Sequence, residues 1–267
     1  MINIKLVFLS VIFTLLPNFS SATVLTLYDD TQANLPNNQQ WLSYFATGSV
    51  TTSASVHGVN MQTDNNAKAG FSNYPVLPFG FKNPAFPALD SNTGFTLSFS
   101  MQLNNEQHIS NYRSGFNVIL LDKNSQGVEL GFWQDSIWSQ SDSPLFQAKD
   151  EQVSFNTSNH LISYNLTLFD NNFFLAQDDN LLLTGDLKDY SAFSGDPLGS
   201  IPYSLSSYLF LGDNSSSALA DVTLGRITLS DTPQFIVPLP PSIGFMCLGL
   251  MGLFRYKKSN ASNTYSL

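Results

Sequence analysis

The chain has 267 residues, 43% of them hydrophobic, 13% aromatic and only 12% charged, against about 25% charged in an ordinary soluble domain. Seven of the eleven Lys and Arg and all twenty Asp and Glu fall between Thr23 and Phe235, so that stretch carries a net charge of −13 and argues against a nucleic-acid partner. The single cysteine, Cys247, excludes a disulfide framework, and before it neither a thiol nucleophile nor a Cys-ligated zinc site can exist.

The first element is an export signal. Lys5 supplies a positive start, Leu6 to Leu16 is an 11-residue apolar run, Pro17 breaks it, and Ser20-Ser21-Ala22 offers the small residues that signal peptidase reads. The run is too short to span a bilayer, which takes about 20 apolar residues. Residues 1–22 are therefore expected to be removed, leaving a mature chain from Thr23.

Residues 23–235 are expected to form one all-β domain. Asn, Ser, Thr and Gln supply its polarity, and its many aromatics favour strands. Tyr28 to Asp90 is irregular; four prolines between Tyr74 and Asp90 suggest a long loop covering a sheet edge. From Thr93 to Leu103, Phe95, Leu97, Phe99, Met101 and Leu103 alternate with Thr96, Ser98, Ser100 and Gln102, the pattern of a half-buried strand. Ser114–Asp122 is a continuous apolar run, as in a central strand, and Lys123–Gly127 reads as a turn. Val128, Leu130 and Phe132 then share one face, with Glu129 and Trp133 on the other. Ile162, Tyr164, Leu166 and Leu168 alternate again. Turns at Asn171–Asn172 and Asp178–Asn180 separate two further strands, and Tyr208–Asp213 and Ala220–Ser230 close the domain. Short strands with a turn about every ten residues mean a sandwich or barrel.

The candidate ligand-binding residues lie around the middle hairpin. Trp133 and Trp138 flank Gln134 and Asp135, and Glu129 precedes them. Indole rings beside an amide and an acid suit a sugar, the rings stacking and the polar groups bonding hydroxyls; packing in the core or at a sheet edge is the competing role. The histidines, His57, His108 and His160, have no metal-type partner at short spacing and read as loop residues. No nucleophile elbow or phosphate loop occurs. Calcium is the one cofactor the sequence suggests, because the Asp/Asn-rich turns at 170–180 and 211–217 supply hard oxygen donors; Asp178 and Asp213 are the candidates. Neither turn has calcium-loop spacing, and Asp and Asn are also ordinary turn formers.

The last element is a three-part tail, residues 236–258, followed by a polar stretch, 259–267. Val237, Pro238, Leu239 and Pro240 form a proline motif. Ile243 to Phe254 is a 12-residue apolar run read as a short transmembrane helix, and Arg255, Lys257 and Lys258 form a basic stop. This layout resembles the PEP-CTERM sorting signal of Gram-negative bacteria, in its V-P-L-P variant. The resemblance implies an exosortase as partner, an inner-membrane stage, and final placement at the cell surface or in the extracellular matrix. The motif departs from the family's usual P-E-P, with Leu239 where Glu stands, and a plain membrane anchor is the competing reading.

The domain itself, over Thr93 to Ser230, resembles the concanavalin A-like (laminin G-like) jelly roll. The stretches that carry this are "GFTLSFSMQL", "GFNVILLDKNSQGVELGFW" and "YLFLGDNSSSALADVTLGRITL". It is similar too to the choice-of-anchor families of bacterial surface proteins. The resemblance implies a last strand lying beside the first and a central hairpin in the opposite sheet. Glycan-cleaving members of the fold carry E-x-D-x-x-E on one strand; here Glu129 is followed by Gly131 and Gln134 in place of the other two acids. A lone carboxylate cannot perform the two-carboxylate chemistry. Asp135 is one position too far along and falls on the opposite face of a regular strand. The expected function is therefore a non-enzymatic surface or matrix component contacting polysaccharide. The alternatives are a glycan-active enzyme with an unfamiliar site, which would gather two or more carboxylates in a groove, and a purely structural surface protein, whose groove would be filled by its own aromatics.

Overall fold

The computed structural model describes residues 23–74, 84–178, 180–193 and 202–235. The signal peptide, the proline motif at 237–240, the apolar run, Arg255, Lys257 and Lys258 lie outside them. The chain separates into two units, Met1–Gln234 and Phe235–Leu267, and the fold below belongs to the first. Among the described residues no helix is long and apolar enough to cross a membrane.

The strands are β1 (Val24–Tyr28), β2 (Ser43–Thr47), β3 (Thr51–Ser55), β4 (Gly58–Gln62), β5 (Lys68–Ser72), β6 (Phe95–His108), β7 (Phe116–Leu121), β8 (Gly127–Phe132), β9 (Ser136–Asp142), β10 (Leu145–Ser154), β11 (Ile162–Phe169), β12 (Asn172–Gln177), β13 (Asn180–Asp186), β14 (Leu209–Asp213) and β15 (Ala218–Ser230). They form two antiparallel sheets. The first runs β13-β12-β11-β6-β15-β4-β3, with β1 paired to the far half of β15; the second runs β10-β9-β8-β7-β14-β5-β2. The expected all-β sandwich is present. β15 lies beside β6, and the β7–β8 hairpin sits in the opposite sheet.

The alternation read in β6 sets the core. Phe95, Leu97, Phe99, Met101 and Leu103 face inward with Leu166, Leu168, Val222 and Leu224 of the first sheet, against Val118, Leu120, Leu130 and Phe132 of the second. Phe99 stacks on Tyr164 at 5.4 Å and meets Phe132 edge-on at 6.1 Å, which ties the sheets together. Each such side chain contributes roughly 1.5–3 kcal/mol when fully buried.

Two features depart from expectation. The irregular opening holds four strands, β2 to β5, and they complete both sheets. β6 also continues past Leu103: a β-bulge at Asn104, opposite the Asp221–Val222 step of β15, shifts its phase by one residue. Glu106 and His108 thereby turn inward at the end of the sandwich, so His108 is a strand residue and not a loop residue.

Candidate functional site

The bulge delivers Glu106 and His108 to the turn between β8 and β9, and a cluster forms there. The His108 ring lies flat on the Trp133 indole, 3.9 Å between centroids and 1° between planes. The Lys149 ammonium sits 3.0 Å from the centroid of the same indole and 5.0 Å from that of Trp138. Two groups this close to one ring can only occupy opposite faces, so both π faces of Trp133 are taken. Trp138 meets Trp133 edge-on at 5.9 Å and is 1% exposed. The Trp133 Nε1–H donates to the Arg113 carbonyl at 3.1 Å. His108 Nδ1 bonds the Glu106 carboxylate at 2.9 Å. Burial raises the Glu106 carboxyl pKa, against the lowering effect of His108. Burial pushes the Lys149 ammonium down to about 8, and the charges of Asp135 and Glu106 pull it back up. Several perturbed groups gathered at one end of a fold mark a functional-site candidate.

The turn itself is held rigidly. The Trp133 N–H donates to the Ser136 carbonyl at 2.9 Å. The Trp133 carbonyl accepts from Thr157 Oγ1 at 2.8 Å, the Gln134 carbonyl from the Thr157 N–H at 3.1 Å, and the Asp135 carbonyl from the Phe155 N–H at 2.9 Å. With the backbone committed to these partners, the side chains of Gln134 and Asp135 are left exposed to solvent.

Glu129 belongs to a different environment. It lies on the outward face of the second sheet, yet is 1% exposed, because Tyr190, Phe193, Tyr203 and Phe146 cover that face. Its carboxylate accepts from Tyr203 Oη at 2.6 Å, Asn214 Nδ2 at 3.1 Å and Arg113 Nη1 at 3.5 Å. Around it Tyr190, Tyr203, Phe146 and Phe193 pack with centroids 4.7–5.6 Å apart. The outward face that would hold a substrate over Glu129 is filled by the domain's own aromatics. Gly131 has a physical reason too: it lies opposite Trp138, and a Cβ there would come within 2.5 Å of the indole. An aspartate at 131 and the Trp138 indole cannot share this place.

The two metal candidates do not converge. Asp178 sits in the β12–β13 turn with φ +50° and takes a hydrogen bond from the Gln177 amide. Asp213 ends β14 and is fully buried, accepting from Thr63 Oγ1 at 2.7 Å and from the Ser215 N–H at 2.9 Å. Burial raises its carboxyl to about 7. Among the described residues no group of three or more His, Cys, Asp or Glu side chains could hold a metal ion. A cavity of about 300 Å³ opens between β1 and residues 85–95, lined by Leu25, Leu89, Phe95 and Leu229; none of the candidate ligand-binding or metal residues lines it.

The structure thus brings Trp133, Gln134, Asp135 and Trp138 together and keeps Glu129 apart from them beneath its aromatic layer. Sequence reasoning missed Glu106, Arg113 and Lys149. The one available signal was Glu106 two residues from His108, which acquires meaning only once the bulge is known.

No family model and no curated protein matches the chain. Among solved structures it is similar to the conserved carbohydrate esterase vb_24B_21 from the Shiga toxin-encoding bacteriophage phi24B, with 11% identity over 79% of this chain and 100% of that one, TM-score 0.52. It is similar also to the cellulose induced protein Cip1, with 8% identity over 78% and 98% of the two chains, TM-score 0.48. A receptor binding domain matches with 10% identity over 81% of this chain, TM-score 0.44; the chain spans about half the length of that structure, 49%. At such identities the likeness concerns the fold alone.

Proposed function

We propose that the chain is an exported, surface-displayed β-sandwich of the concanavalin A-like jelly-roll class that contacts extracellular polysaccharide without cleaving it. The observation that carries the contact is the β8–β9 turn, where a backbone fixed by four hydrogen bonds presents the exposed Gln134 and Asp135 side chains. A polar pair preorganised in this way loses little entropy on meeting sugar hydroxyls. The sandwich shared with a protein described as a carbohydrate esterase agrees with this reading and contributes the fold only. The indoles enter as a scaffold: the Trp133 faces are occupied and Trp138 is buried, so recognition falls to the polar tips.

A non-catalytic role is supported by Gly131 and Gln134 standing where glycan-cleaving members of the fold carry acids, and by the Glu129 carboxylate being consumed within the protein. Export rests on Lys5, the apolar run Leu6–Leu16 and Ala22. Processing by an exosortase-type enzyme, after signal peptidase, rests on Val237–Pro240 and the basic stop at Arg255, Lys257 and Lys258. The aromatic layer closing the second sheet favours a purely structural surface protein as the second reading.

Affinity electrophoresis of the full chain in gels containing soluble polysaccharides separates the two. Retardation in at least one polysaccharide, weakened roughly tenfold in the Gln134→Ala/Asp135→Ala double variant as its hydrogen bonds are lost, is the expected result. Unchanged mobility in every gel would leave only the structural reading.

A further inference from the structure

The outward face of the first sheet carries the residues that make this chain so weakly charged. Register places them in rows across the strands. Ser53, Asn60, Thr223 and Gln102 form one row over β3, β4, β15 and β6. Ser100 and Ser163 are direct partners on β6 and β11. Thr26, Thr228, Ser98 and Asn165 form a further row over β1, β15, β6 and β11. None of these ten is buried. Rows of this kind repeat every ~4.8 Å across strands and every ~7 Å along them.

Every group in them is a hydroxyl or an amide, able both to donate and to accept, as a sugar hydroxyl does. Charge on the face is muted. Asp221 is wrapped by the amides of Asn60, Asn104 and Gln62 at 2.7, 2.9 and 3.0 Å, and Arg226, in the bulge after Leu224, adds a cation that Asp29 faces, with the Asp30 carboxylate beside Gly225. A face whose Arg226 is outnumbered by Asp29, Asp30 and Asp221, in a domain of net charge −13, disfavours a polyanion and leaves its hydroxyl and amide rows to an uncharged polymer. The face also shows how it holds an extended polymer. The next row, Thr96 and Thr167, grips the backbone of Thr232–Gln234: Thr96 Oγ1 lies 3.3 Å from the Thr232 carbonyl and 2.8 Å from the Gln234 N–H, and Thr167 Oγ1 donates to the Gln234 carbonyl at 3.1 Å.

We infer that the outward face of β4, β15, β6 and β11 is a hydrogen-bonding platform for an extended, neutral, hydroxyl-rich polysaccharide. The inference rests on the reading that the chain meets polysaccharide, and it adds an extended contact to the one at the β8–β9 turn. It names the polymer's chemistry as uncharged and places the contact on rows of hydroxyls and amides, with the half-buried Phe169 and Phe174 at one end of the same face.

The test is affinity electrophoresis of the full chain in hydroxyethyl cellulose, a neutral polymer, and in polygalacturonate, an anionic one. Ser98→Arg and Thr223→Arg place a long charged side chain in the middle of the rows; Ser98→Ala and Asn165→Ala remove hydrogen bonds with little risk to folding, and thermal midpoints check all four. The expected result is retardation by hydroxyethyl cellulose, weakened roughly tenfold by either arginine variant and about threefold by the alanine variants, with no retardation by polygalacturonate. Retardation that persists unchanged in all four variants while Gln134→Ala/Asp135→Ala abolishes it would overturn the platform and leave the turn contact standing. Retardation by polygalacturonate alone would overturn the neutral-polymer assignment, and none in either gel would overturn the platform.

Discussion

Lys149 holds its ammonium against the indoles of Trp133 and Trp138, and no carboxylate lies within ion-pair distance of it among the described residues. A cation over an aromatic face gains electrostatically, yet partial burial costs it hydration, and burial pushes its pKa down from 10.5 to about 8. The groups that face it are Asp135 and Glu106, which favour the charged form, and His108 across the indole. Tryptophan fluorescence should therefore show a step near pH 8, as the ammonium on Trp133 loses its proton, and Lys149→Met should remove it. The sign for stability follows from linkage: between pH 8 and 10.5 the unfolded state binds more protons, so this residue's contribution becomes more favourable as pH rises. The stability gained by Lys149→Met should accordingly be largest below pH 8 and shrink above it. A fluorescence step that survives in Lys149→Met would show that the contact is not the titrating one.

At the scale of elements, the second sheet is a strand layer with a second apolar layer on its outward face. β7 is buried along its whole length because its Ile119 and Leu121, with Phe210 of β14, face outward into Tyr190, Tyr203 and Tyr208. Glu129 is the polar pin of this layer. Removing it strands Arg113, Tyr203 and Asn214 together, so Glu129→Ala should cost about 3 kcal/mol in urea unfolding. Glu129→Gln, which keeps an acceptor for Tyr203, should cost less. A loss under about 0.5 kcal/mol for the alanine variant would show that the layer stands without its pin. The continuous apolar run of β7 announced a strand buried on both faces, whereas Tyr190, Tyr203 and Tyr208, which cover it, stand in sequence where no period signals their destination. β2 to β5 escaped notice for a related reason. Ser, Thr and Gly dominate them, since β3 and β4 turn one face to solvent and Gly70 lies where a Cβ would meet Phe210, so apolar alternation is weak. β6, with five inward apolar residues in strict alternation, was fully legible up to Leu103; the bulge at Asn104 was not, because bulges follow from pairing and pairing is non-local.

The whole molecule sets two outward sheet faces in contrast. One is closed by the chain's own aromatics over the carboxylate that sequence comparison with glycan-cleaving sandwiches would single out. The other carries rows of unburied hydroxyls and amides. Composition carried this message in part: 12% charged residues with abundant Ser, Thr, Asn and Gln announced a polar, weakly charged surface, and alternation in β6 placed Thr96, Ser98, Ser100 and Gln102 on one side of a strand. Which strands would join them in rows depended on long-range register, as did the meeting of His108, Trp133 and Lys149. Contact without cleavage is tested by size-exclusion analysis of hydroxyethyl cellulose incubated with the purified full chain. Protein should co-elute with the polymer, and the polymer's length distribution should be unchanged after prolonged incubation. Protein eluting alone, or polymer shortened in its presence, would contradict contact without cleavage.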